Sequence, residues 1–171
     1  MVAPLGRAMK LRLNYDVADL LFRVLFSLIF IGLGLEHIFS DELIQNLMPD
    51  WLVDKRLASV IAGIVLLMGG CSLLVGYRVP QAAVVLGLFL IAVTVLIHGP
   101  ALLHRPDGLP PDWEWLWDVY QRSNFFKNLC LLGVCIYLRH HKVGRFSVDA
   151  HRRQSGSPGR SSDTDRHTPD P

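Results

Sequence analysis

The chain has 171 residues, a formal net charge of +2, 51% hydrophobic residues and only 19% charged ones. That balance is too apolar for an ordinary soluble domain, and so small a net charge gives no ground for a nucleic-acid partner. The partner it implies is the lipid bilayer, because the apolar residues fall in long blocks. Ala18 to Phe39, Leu57 to Tyr77 and Pro80 to Leu103 each approach or exceed the ~20 residues that span ~30 Å of hydrocarbon.

In chain order, residues 1–15 form a short basic arm with Arg7, Lys10 and Arg12. The apolar run behind it is too long for the core of a cleavable signal peptide, so it reads as a first transmembrane helix. The loop Ser40 to Arg56 contains SDELIQNLMPDW, in which Ser40 caps a short helix with Leu43, Ile44 and Leu47 on one face. Helix two carries Ala58, Ala62, Gly63, Gly69 and Gly70, small residues that let helices approach closely in lipid. A tight turn, Tyr77 to Pro80, leads to helix three, which is expected to end or kink at His98-Gly99-Pro100. In the next loop Trp113, Trp117 and Tyr120 share the face of a short interfacial helix. Phe125 to Leu138 is a shorter fourth span. Beyond Gly144 the chain is polar and is expected to be disordered.

The charges fix an expected orientation. With four spans, the N-terminal arm, Arg78 and the tail hold eleven of the seventeen Lys and Arg, and the opposite loops hold five. The positive-inside rule then puts both termini in the cytoplasm of a multi-pass protein of the cell membrane. All four Trp fall in the outer loops, where indole rings favour the headgroup region. The expected fold is thus all-α: a four-transmembrane-helix bundle with a short interfacial helix in the outer loops. Its parts are a basic arm (1–15), a membrane domain (16–142) and a disordered cytoplasmic tail (143–171).

Ionisable residues inside a membrane each need an account. Arg23 lies four residues after Asp19 on one helix face, so the two form a structural intramembrane pair, with the Arg stem free to snorkel. At the other end, His37 lies 19 residues after Ala18 and His98 lies 18 after Pro80 on a parallel helix. At 1.5 Å per residue they share a depth, and helix four begins there with Lys127 and Asn128. Glu36, His37, His98, Lys127 and Asn128 therefore form a candidate outer polar cluster. It can act as a hydrogen-bonded cap, as a ligand, quinone or metal site, or as a haem site between His37 and His98. No complete set of metal ligands is evident, and no cofactor is required by the pattern. Cys130 and Cys135 project ~140° apart on a helix, which is unsuited to dithiol chemistry. No nucleotide-binding, zinc or serine-hydrolase signature occurs, so the sequence leaves open whether the protein is an enzyme.

Over roughly Val17 to Arg139 the chain resembles the DoxX family of small four-helix membrane proteins. The pieces that carry the resemblance are Arg23, then FIGLGLEHIF with His37 where the family often has Lys, then ASVIAGIVLLMGGCSLLVGYR, then NFFKNLCLLGVCIYL. Many relatives carry Glu three residues after the helix-two Ala-Gly, and here Leu66 stands there. The resemblance implies a four-helix bundle associated with membrane redox processes. It suggests an accessory or scaffold subunit with redox-complex protein partners, or alternatively a small quinone-linked oxidoreductase using the His cluster. A homo-oligomer is compatible with either.

Overall fold

A computed structural model describes residues 14–39, 45, 48, 52–106 and 109–155. Among these the chain is all-helical, and three helical stretches are long and apolar enough to cross a membrane. The short helix expected over 40–47 lies largely outside the described residues.

Helix α1, Tyr15–Phe39, starts where the Asn14 side chain accepts from the Asp16 amide. Its buried stripe is Asp19, Arg23, Ser27, Phe30 and Gly34, while Leu21, Leu25, Leu28 and Leu35 face outward. The stripe repeats every three to four residues, so one helix face carries polar and small groups inward and the others offer aliphatics to lipid. Helix α2, Lys55–Val75, is capped by Asp54, whose carboxylate accepts from the Leu57 amide at 2.8 Å. It ends at Gly76, whose φ of 69° closes the last turn with the Tyr77 amide donating to the Ser72 carbonyl.

Helix α3, Val79–Val93, opens with Pro80 in its first turn, where a missing N–H costs nothing. It continues through a π-helical segment, Thr94–His98, into α4, Gly99–Leu103, without the end or break expected at His98. The reason is local. Pro100 has no N–H to give to the carbonyl four residues back, and the Gly99 amide donates instead to Thr94, five residues back. The wide turn absorbs the proline.

Helix α5, Pro111–Leu138, is one continuous helix of 28 residues. The separate interfacial helix expected at Trp113–Tyr120 is instead the first turns of α5. No glycine or proline interrupts the chain between Pro111 and Gly133, so nothing stops the helix at Arg122 or Asn124. Arg105 anchors the start of α5 through ion pairs to Glu114 and Asp118, and its hydrogen bonds hold the exposed Asp118 carboxyl below the usual carboxylate range.

Of the tail expected to be disordered, residues 156–171 lie outside the described residues, and the described part differs from that expectation. Residues 144–155 fold back on the bundle, and Val148–Ser155 forms a short helix, α6. Its Asp149 caps α3 by accepting from the Val79 amide, while the Asp149 amide donates to Gly76. Arg145 adds an ion pair to Asp16 of α1, so a segment with few apolar residues docks through backbone groups and charged side chains.

Helix α1 packs on α2, α2 on α3, and α3 on α5 around Phe30, Leu66, Leu73, Leu86, Leu90 and Leu138. The tightest crossing is α1 on α2. A Cβ on Gly34 would lie 2.8 Å from Leu67 and 3.0 Å from the Gly63 carbonyl, and one on Gly63 would lie 2.9 Å from the Gly34 carbonyl. Two helix backbones touch there, as small residues permit in lipid. Replacing Gly63 with Ala should therefore cost about 1–3 kcal/mol by overpacking. Gly133→Ala, whose Cβ meets nothing within 4 Å, should be neutral or slightly stabilising. Thermal unfolding of both variants in detergent checks the contrast.

Candidate functional site

Polar groups gather at both ends of the bundle. The near end is the one that holds Asn14, Gly76 and Leu138; the far end holds Phe39, Lys55 and Leu103.

At the near end Asp19 and Arg23 pair directly, with Arg23 Nε 3.0 Å from Asp19 Oδ2. Arg23 is 1% exposed, so it does not snorkel. Its Nη1 donates to the Leu74 carbonyl at 2.9 Å and its Nη2 to the Phe146 carbonyl at 2.5 Å. Asp19 also accepts from the Gly144 amide at 3.0 Å, and its Oδ1 lies 2.8 Å from His141 Nε2. One ion pair thus ties together α1, the end of α2 and the segment after α5. Two glycines make the approach possible: a Cβ on Gly144 would lie 2.9 Å from Asp16 Oδ1, and one on Gly76 would lie 2.5 Å from Ser147 Cβ. Each guanidinium nitrogen and both carboxylate oxygens of this cluster have protein partners, and it reads as architecture.

At the far end the structure brings Glu36, His37, His98, Lys127 and Asn128 to one cavity of about 340 Å³. It lies among α1, α2, α3 and α5, with apolar walls from Phe30, Leu33, Ala62, Leu66, Phe89 and Val93. The two histidines do not bond to Asn128. His37 Nδ1 lies 3.1 Å from Ser59 Oγ, and His98 Nδ1 lies 2.8 Å from Gln121 Oε1. Lys127 donates to Asn124 Oδ1 at 2.6 Å.

These partners set the proton positions. Ser59 Oγ already donates to the His37 carbonyl at 2.8 Å, so it accepts from His37 Nδ1–H. Gln121 Oε1 can only accept, so His98 also carries its proton on Nδ1. In its neutral form each imidazole therefore keeps Nε2 as an acceptor with no partner among the described residues. Asn128 is 5% exposed, and its side-chain amide has no hydrogen-bond partner among the described residues. A buried amide in an apolar wall costs free energy unless something fills its bonds. The cavity therefore presents acceptors from α1 and the π segment, and donors from α5. No group of three or more His, Cys, Asp or Glu placed to hold a metal occurs among the described residues.

The comparisons agree with this architecture. Residues 18–99 match the model of the DoxX family. The chain carries a DoxX domain. With its apolar helices, this makes it a membrane protein. No curated protein and no solved structure matches it. The DoxX match contains Asp19, Arg23, Glu36, His37, Ser59 and His98, while Gln121, Asn124, Lys127 and Asn128 lie beyond it on α5. Leu66 is buried and lines the cavity.

Sequence reasoning missed Ser59, Gln121 and Asn124. The signal for the last two was present: Gln121, Asn124 and Asn128 recur at helical spacing on one face. It was hidden by starting the fourth helix at Phe125. All three cysteines are free; Cys71 and Cys130 are exposed and Cys135 packs in the core.

Replacing Arg23 with Met leaves the Asp19 carboxylate buried without its countercharge and should cost about 3–5 kcal/mol. The double variant Asp19→Asn/Arg23→Met should cost less than the sum of the two single changes. Additive losses in thermal unfolding would mean that the two side chains do not act as a pair.

Proposed function

We propose that this DoxX protein is a quinone-handling accessory subunit of a membrane redox assembly, with the far-end cavity as the headgroup site. The observation that carries the proposal is the unpartnered Asn128 amide in an apolar cavity that two acceptor imidazoles also line. A ring with two opposed oxygens matches that set. Carbonyl oxygens accept from the Asn128 amide and the Lys127 ammonium, and hydroxyl groups donate to the imidazole Nε2 atoms. A bound quinone supplies two-electron, two-proton chemistry. When a quinol there passes its two electrons to the redox partner, His37 and His98 would take up the two protons its hydroxyls release, with Ser59 and Gln121 holding the rings in one tautomer. The same acceptors favour a second reading, in which the chain is itself a small quinone-linked oxidoreductase. Turnover of quinol by the purified protein without a partner separates the two.

The proposal includes four membrane spans with both termini in the cytoplasm of a cell-membrane protein. Support for the fourth comes from α5, which packs along α3 and exposes Phe126, Leu129 and Ile136. At ~42 Å, its 28 residues exceed the ~30 Å hydrocarbon layer, leaving its first turns outside. The Lys and Arg excess at the near end supplies the orientation. A reporter fused after Pro171 should be active only as a cytoplasmic reporter; activity on the opposite side would overturn the fourth span.

For the site, the purified protein is titrated with a short-chain benzoquinone and binding is read by calorimetry. Ala62→Phe, which fills the cavity, should abolish binding. Asn128→Leu should weaken it about tenfold, the loss of one buried hydrogen bond. His98→Leu should weaken it as well, with the fold retained by circular dichroism. Failure of the unmodified protein to bind, or equal binding by all variants, would sink the quinone reading.

A further inference from the structure

On another face of α3 a groove of about 320 Å³ runs between α3 and α5 along the near half of the bundle. Gly87, which is buried, forms its floor, and Leu88, Ile91, Leu132 and Ile136 form its walls. Arg139 and His140 line it at the end of α5. Both are exposed, and neither side chain has a hydrogen bond or ion pair among the described residues. No acidic residue lines the groove.

The layout follows the order of a membrane lipid. Arg139 caps the end of α5 beside the first turns of α3, where helices of a spanning bundle meet the interface. From there the apolar part runs inward for about 12 Å, the rise of the eight residues from Ala83 to Ile91. Its occupant is therefore charged at the interface and aliphatic in the layer below. The charge must be negative, because the lining offers two basic groups and no acid. A soluble anion would have no use for the apolar floor, an extended peptide would bring unpaired backbone into hydrocarbon, and a groove of about 12 Å is far shorter than the ~30 Å along which a spanning helix packs. We infer that this groove is a binding site for one anionic phospholipid, with its phosphate between Arg139 and His140 and one acyl chain over Gly87. Guanidinium is suited to phosphate because its planar fork donates to two oxygens at once. The groove is separate from the far-end cavity, so this site stands or falls independently of the quinone proposal.

The test uses the full chain, purified in detergent with mixed phosphatidylglycerol and phosphatidylcholine, with retained lipid counted by native mass spectrometry. The unmodified protein should retain one phosphatidylglycerol in preference to phosphatidylcholine. Arg139→Gln should lower that retention about fivefold, the weight of one cation at the interface. Gly87→Leu fills the floor and should remove retention. If Gly87→Leu fails to fold, Leu88→Trp on the exposed wall serves in its place. Arg153→Gln, a basic change on α6 away from the groove, should have no effect. An equal loss with Arg153→Gln would show a diffuse basic surface and overturn the site. So would competition by inorganic phosphate at the same concentration as lipid, or unchanged retention when the groove is filled.

Discussion

A guanidinium has five N–H donors, and Arg23 sits where no water can reach them. In hydrocarbon such a group persists only if the fold completes its bonds. Much of the near end is arranged to do so. The Gly76 turn leaves the Leu74 carbonyl free at the end of α2, and the chain after α5 returns to present the Phe146 carbonyl. Asp19, the countercharge, needs its own remaining bonds, which the Gly144 amide and His141 supply. The segment after α5 is thus held by α1 through the charge pair, and α6 follows by docking on Gly76 and Val79.

That closure bears on the opposite end. Helix α1 is tied to the segment following α5 at the near end, yet the two helices scarcely pack on one another along their lengths. Their far halves are spaced by the cavity. The π segment contributes there too, since an extra residue in one turn rotates the rest of the helix by roughly 100° and sets the face that His98 presents. It also keeps the Pro100 region helical, so His98 comes from a helix wall and its ring is held by Gln121. Rigid elements that support a cavity from several sides are what a ligand site requires.

Three spans, the Asp19–Arg23 spacing and the meeting of His37 and His98 at one end of the bundle were legible in the sequence because each depends on periodicity or length alone. The hydrogen-bond partners were not. Leu74 and Phe146 act through carbonyl oxygens, which every residue has, so no residue type announces them. The folded part of the tail was misjudged for a related reason. Composition measures the apolar surface a segment can bury, whereas residues 144–155 dock through backbone amides and carbonyls, the Asp149 carboxylate and the Arg145–Asp16 ion pair. Helix α5 was cut short because hydropathy falls at Arg122 and Lys127, although helix formation does not depend on hydropathy.

The same misplacement hid where the cavity obtains its chemistry. The DoxX match supplies three walls and both imidazoles. The fourth wall is α5, with Gln121, Asn124, Lys127 and Asn128, and it lies beyond the matched residues. Gln121 fixes the His98 tautomer, Asn124 holds the Lys127 ammonium, and Asn128 offers the open amide. On the α2 wall, Leu66 keeps the surface apolar. An acid there would pair with Lys127 or protonate an imidazole, and either event would remove a donor or an acceptor from the cavity. Glu36 already lines the cavity from α1, so Leu66 keeps α2 from adding a second carboxylate, and the donors stay on α5. The polarity of the cavity is therefore set by the imidazoles of α1 and the π segment, by the donors of α5 and by the aliphatic Leu66 on α2.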